Sequence, residues 1–95
     1  SSNQPSVMTY YTNRIKEAKT LSSDTKALQT AVNSGPGKVA ADIYRANAAS
    51  GQPFLKTYET ITMTFAGDPD SMSKAHTVAL ALDMAANNKT APPKE

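Results

Sequence analysis

The sequence predicts an all-α protein, a small bundle of four to five antiparallel helices. Three observations predict it. Val7, Tyr11, Arg14, Ala18, Leu21, Thr25, Leu28 and Val32 recur at alternating steps of four and three, which is the spacing of one helix face. Ala supplies 15 residues while Ile, Val, Leu and Phe together supply 14, and Ala favours helix and close helix contact. Gly/Pro punctuation falls at helix-length intervals, at 33–37, 51–53 and 67–69.

Residues 1–5 are expected as a flexible lead. Pro5 and Ser6 then stand where the first helix can start. An unbroken helix from about residue 6 to 33 would be ~42 Å long at 1.5 Å per residue. Ser22-Ser23-Asp24 offers N-cap chemistry in mid-run. The register holds across it, so one long helix with a kink is preferred over two helices. Asn33-Ser34-Gly35-Pro36-Gly37 is the clearest break: Gly35 suits a left-handed C′ position, and Pro36 can open the next helix.

Lys38 to Ser50 reads as the following helix, with Val39, Ile43, Ala46 and Ala49 or Ser50 on one face. Phe54, Tyr58, Ile61 and Phe65 form the richest stripe of large residues. The same segment is Thr-rich, and Ile61, Met63 and Phe65 alternate as in a strand. A lone strand would have no partner elsewhere, so helix is preferred. Asp68-Pro69-Asp70-Ser71 starts the last helix, whose face is Met72, Ala75, Ala79, Leu82 and Ala86 with Val78 beside it. That helix is expected to fray near Asn87-Asn88, and residues 90–95 to be a flexible end.

Residues 1–95 make one domain with a thin core, because so short a chain buries only roughly 60–65% of its unfolded surface. The net charge is +2, and none of the ten basic residues adjoins another. Nucleic-acid binding calls for a clustered basic stripe, so that partner is not expected. No cysteine is present, which removes disulfides, thiolate metal sites and thiol nucleophiles. No apolar stretch reaches the ~20 residues of a transmembrane helix. The Ser/Thr/Asn-rich polar residues suggest an exported protein, secreted or held in a cell wall, and the Ser1-Ser2 start without an initiator Met reads as a processed, trimmed or tagged chain. Asn88-Lys89-Thr90 fits the N-glycosylation pattern, making Asn88 the candidate acceptor.

Candidate chemistry is sparse. His76 is the only histidine, and the nearest carboxylate C-terminal to it on its own helix, Asp83, is two turns away. It reads as an ordinary surface or half-buried histidine, not a metal ligand. Asp68-Pro-Asp-Ser begins like a calcium loop but has Met72, Ser73 and Ala79 where the loop needs an oxygen donor, glycine and glutamate. Gly35-Pro-Gly-Lys38 lacks the first glycine and the Ser/Thr of a phosphate loop, with Val32 and Val39 there. With one His and no paired carboxylates, no nucleophile–base–orienter set can be assembled. The expectation is therefore no catalysis, no metal and no cofactor.

Aromatics and methionines are the remaining concentrated feature, and such side chains adapt to lipid-like ligands. Tyr11, Ile15, Phe54, Tyr58, Ile61, Phe65 and Met72 are the candidate ligand-binding residues, with Met63 beside them. The segment Ile15 to Gly37, IKEAKTLSSDTKALQTAVNSGPG, resembles the opening helix of fungal hydrophobic surface binding protein A and related cell-wall mannoprotein domains. That resemblance implies an exported all-helical bundle that binds lipids or hydrophobic surfaces.

The expected function is thus a small exported non-enzymatic binding protein for an apolar ligand, such as a fatty acid or lipid, or for a hydrophobic surface. The alternative is a secreted protein–protein interaction module, an effector or immunity-type domain, docking through Tyr10, Arg14, Lys38 and Arg45. A homodimer is a further expectation if the first helix is unbroken and leaves Leu28 and Val32 uncovered.

Overall fold

The computed structural model describes residues 3–90, with side chains from Ser6 to Asn88. Five helices follow one another: α1 (Asn3–Ser22), α2 (Thr25–Ala31), α3 (Gly35–Ala49), α4 (Phe54–Thr64) and α5 (Pro69–Thr90). The helix bounds at the two ends differ from the expected ones. Asn3–Pro5 belong to α1, where Pro5 sits in the first turn and breaks no internal bond. Helix α5 runs past Asn87-Asn88 to Thr90. Residues 1, 2 and 91–95 of the expected flexible ends lie outside the described residues.

The first apolar run is two helices, not one. Both serine hydroxyls at its break, Ser22 and Ser23, bond the Lys19 carbonyl at 3.0 Å, in competition with the helix ladder. Asp24 then takes an extended conformation and its carboxylate accepts from the Ala27 N–H at 3.0 Å, which caps α2. The fold-back buries Leu28 against Ala18, Leu80 and Ala81, with Val32 packed alongside. This removes the uncovered end on which the homodimer expectation rested.

Helix α4 is a helix despite its threonines. Thr60, Thr62 and Thr64 each donate to the carbonyl four residues earlier, at 2.8–3.0 Å, so the hydroxyls are satisfied within the helix. Thr57 is buried and accepts from Asn47 of α3. Asp68 caps α5 by accepting from the Ser71 N–H, with Pro69 opening the helix.

Helix α5 is the axis of the fold. Seven consecutive residues, Ala75 to Ala81, are buried, nearly two full turns, so neighbours surround it on every side. Each of the other four helices packs on it. This corrects the expectation of a single apolar face through Met72, Ala75, Ala79, Leu82 and Ala86. Contacts rise together along α1 and α5, from Tyr10–His76 through Arg14–Thr77 to the cluster of Ala18 with Leu80 and Ala81. The two helices therefore run in the same direction. Helix α3 does likewise, from Gly37 beside Val78 to Tyr44 on Asp83. Helix α4 runs against all three, so helices consecutive in the chain alternate up and down.

Small side chains permit this crowding. Ala18, Ala40, Ala41, Ala75, Ala79 and Ala81 have no exposed surface, and Ile61 and Val78 fill what remains. On α3 the buried residues are Gly37, Ala40 and Ala41, with Ile43 partly buried, whereas Val39, Ala46 and Ala49 are exposed. The predicted Val39/Ala46/Ala49 face is thus corrected. The reason is Gly37: a Cβ there would meet the Ala31 carbonyl oxygen, so α2 and α3 approach only with this glycine turned inward.

Candidate functional site: an apolar face over a buried histidine

Most of the exposed large apolar side chains lie on two elements. Val7, Met8 and Tyr11 on α1 are 65%, 59% and 46% exposed, and Leu55 and Met63 on α4 are 61% and 76% exposed. Tyr11 meets Tyr58 edge-on at 6.0 Å between ring centroids, which joins the two helices at the surface. Val7 and Met8 stand one turn before Tyr11, and Leu55 one turn before Tyr58, so these side chains neighbour the joint. Met63 points farther outward.

Beneath this joint lies His76, 1% exposed, which corrects its expected place on or near the surface. Its ring stacks on Tyr58 at 3.8 Å with an interplanar angle of 5°. Nε2 lies 3.0 Å from the Thr62 hydroxyl and 3.3 Å from the Tyr58 carbonyl. Nδ1 lies 2.8 Å from the Tyr10 hydroxyl. The Tyr58 carbonyl only accepts, and Thr62 already donates to it, so Nε2 carries the ring proton and Nδ1 accepts from Tyr10. Each group in the circuit has its partner with the imidazole neutral.

Electrostatics agree with that assignment. Burial pushes the His76 imidazole below its ordinary range, the nearby Arg14 charge adds to this, and the bond to the Tyr58 carbonyl opposes it. Burial also raises Tyr58, to about 12, with the neighbouring phenols Tyr10 and Tyr11 adding and Arg14 opposing. Tyr10 is raised as well, burial outweighing Arg14.

Arg14 stands at the edge of the circuit, 5.3 Å from the Tyr10 ring centroid. It donates to Thr77 Oγ1 at 2.8 Å and forms a forked pair with Glu17 at 3.0 and 3.3 Å. Tyr10 and Arg14 are thus committed inside the bundle and are not the free docking residues of the alternative reading. Lys38 and Arg45 are exposed, with Lys38 paired to Asp42.

The predicted ligand-binding residues divide three ways. Ile61 is fully buried core. Ile15, Phe54, Tyr58 and Phe65 pack partly buried against the two core clusters, and Met72 is half-buried. Tyr11 alone is exposed on the face. A groove of about 740 Å³ lies elsewhere, between α1, α2 and the starts of α3 and α5. Leu21, Ala31 and Val78 give it apolar wall, and Lys16, Asp24, Asp70 and Lys74 stand in it. None of the seven predicted residues lines it. A smaller groove of about 470 Å³ lies between Lys19, Ser22, Ser23 and the end of α5.

Two signals in the sequence bear on the residues that were missed. Ala75 to Leu82 contains no charged residue, which marks His76 as part of a buried stretch. Val7 shares the α1 stripe with Ala18, so nothing in its spacing separates the exposed end from the buried middle. Among the described residues, no group of three or more His, Asp or Glu is placed to hold a metal ion, and no helix is long and apolar enough to cross a membrane. Comparison with family models, curated proteins and solved structures finds no match.

Proposed function

We propose that this protein is a small non-enzymatic binding protein that attaches to an apolar surface, such as a lipid layer, through the face formed by the first half of α1 and by α4. The observation that carries this is the exposure of Val7, Met8, Leu55 and Met63 in a chain with so few large apolar residues. A protein short of core-forming side chains that leaves several in water, three of them within one turn of the Tyr11–Tyr58 joint, has the composition of a contact face. The polar composition and the exposed Asn88 near the end of α5 support an exported setting, and the resemblance of Ile15–Gly37 supports the choice of an apolar surface over a protein partner.

Adsorption to lipid vesicles and to hydrophobic beads tests the proposal. The double variant Met8→Glu/Leu55→Glu should adsorb far less than the parent at unchanged melting temperature. Val39→Glu, which alters an exposed apolar residue on α3, should adsorb as the parent does. Equal loss in both variants, or none in either, would overturn the assignment of the face.

A further inference from the structure

His76 joins three helices, and its two nitrogens serve different ones. Nε2 faces α4 through Thr62 and the Tyr58 carbonyl, while Nδ1 faces α1 through Tyr10. We propose that His76 is an acid-operated latch: a proton taken up on Nδ1 releases the first half of α1 from the bundle while α3, α4 and α5 stay packed.

The asymmetry follows from where the second proton must go. Nε2 already carries one, so protonation converts Nδ1 from acceptor to donor and leaves both bonds toward α4 intact. The Tyr10 hydroxyl must then rotate and accept from Nδ1, which takes away the acceptor of its own proton, and the new buried cation faces Arg14 with no carboxylate to balance it. The titratable and charged groups facing the imidazole are Tyr10 and Arg14 from α1 and Tyr58 from α4; Thr62 is neutral at every accessible pH. None is a carboxylate, and the one fixed charge, Arg14, has the same sign as the new cation. Its partner Glu17 is held in the forked pair and is largely exposed. Helix α3 packs elsewhere on α5, through Gly37 beside Val78 and Tyr44 on Asp83. The flat face of Tyr58 offsets part of the cost of the buried cation but supplies no hydrogen bond.

Local release also follows from how α1 is held. From Ser6 to Asn13 every residue is exposed except Tyr10, so the Tyr10–His76 bond and the Tyr11–Tyr58 edge contact anchor that segment. From Arg14 onward the hold is independent of His76, through Thr77 and the fully buried Ala18. The cluster of Ala40, Ile61, Ala75, Val78 and Ala79, which joins α3, α4 and α5, contains nothing that titrates. The latch exists whatever the face above it binds.

Amide hydrogen exchange on the full chain, corrected for intrinsic rates, tests it between pH 7.5 and 4.5, with the His76 imidazole signals followed by NMR in parallel. The opening equilibrium of residues 6–13 should rise by up to about tenfold per pH unit once His76 begins to protonate. Amides of α4 and of residues 75–81 should keep their protection. Tyr10→Phe should open residues 6–13 already at pH 7.5 and flatten their response to acid. Simultaneous opening of all helices, unchanged protection of residues 6–13 across the range, or a Tyr10→Phe variant that behaves as the parent would each overturn the latch.

Discussion

Replacing Gly37 by Ala reverses a familiar sign. In a helix interior that change removes backbone entropy from the unfolded chain and normally stabilises by about 0.8–1 kcal/mol. Here the added Cβ would run into the Ala31 carbonyl oxygen, a backbone atom at the end of α2, with Val78 Cγ2 3.5 Å away. No side chain can swing aside, so α2 and α3 must separate. Overpacking a closed contact costs typically about 1–3 kcal/mol. Separation also loosens Leu28 and Val32, which α2 brings to the core. The net expectation is destabilisation of about 1–2 kcal/mol, or roughly 4–16 °C in Tm for a domain of this size. Thermal and urea unfolding followed by circular dichroism would measure it. An unchanged or raised Tm would refute the argument and show that α2 yields without cost.

Ile61→Ala, at the largest fully buried side chain, should cost about 2–5 kcal/mol by urea unfolding, and a value below 1 would mean the core collapses around the gap. Asp24→Ala should cost about 1 kcal/mol through the lost cap of α2 and leave the molecular mass in solution unchanged. With His76 lowered in the folded state, both states are neutral above pH ~6.5, and below it the unfolded chain takes the proton first. Stability should therefore fall as pH drops from about 6.5 through the folded pKa, by at most ~1.4 kcal/mol per unit, and the urea midpoint of His76→Gln should be flatter over that range. At the alkaline end, Tyr44, raised to about 12 by burial and its bond to Asp83, and Tyr58, also about 12, should lower stability as pH rises from 10 through 12. Ultraviolet titration showing every phenol ionising near 10 would contradict this.

Much of the helix content is legible because its punctuation is local. Gly35-Pro36, Pro53 and Asp68-Pro69 act through their own backbone conformations, and each marks a helix start in the structure. The break at Asp24 is visible as cap chemistry but not as a loss of register. Thr25, Leu28 and Val32 continue the spacing of Val7 to Leu21, and a helix folded back on itself presents the same side chains inward as a straight one. The central position of α5 is harder to see. Alanine, threonine and histidine give no strong hydrophobic signal, so a helix buried all round reads as one with a weak face. The candidate site fails to appear for a related reason. Phe54, Tyr58, Ile61 and Phe65 advertise themselves by size and spacing, and the bundle uses them inside. Val7, Met8, Leu55 and Met63 look like ordinary interior residues, and only the placement of α1 and α4 around α5 leaves them in water.

The helix on which all the others lean is the last of the five among the described residues. Among α1 to α4, the substantial contacts are those of α1 with α2 and of α3 with α4; each of the four also meets α5. As the chain emerges during synthesis, two hairpins that meet closely only where Gly37 faces the Ala31 carbonyl precede the element that unites them, and neither can bury all its alanines until α5 arrives. The α1–α5 pairing then closes a gap of some sixty residues, Tyr10 to His76 and Arg14 to Thr77, whereas α4 and α5 meet across a short turn. Local pairs form before distant ones because loop closure costs less. By that reasoning the α4–α5 pair forms before the α1–α5 pair. Loss of a few residues from the start of α1 therefore trims an edge, while a stop codon before Ala75 removes the common neighbour of every other helix.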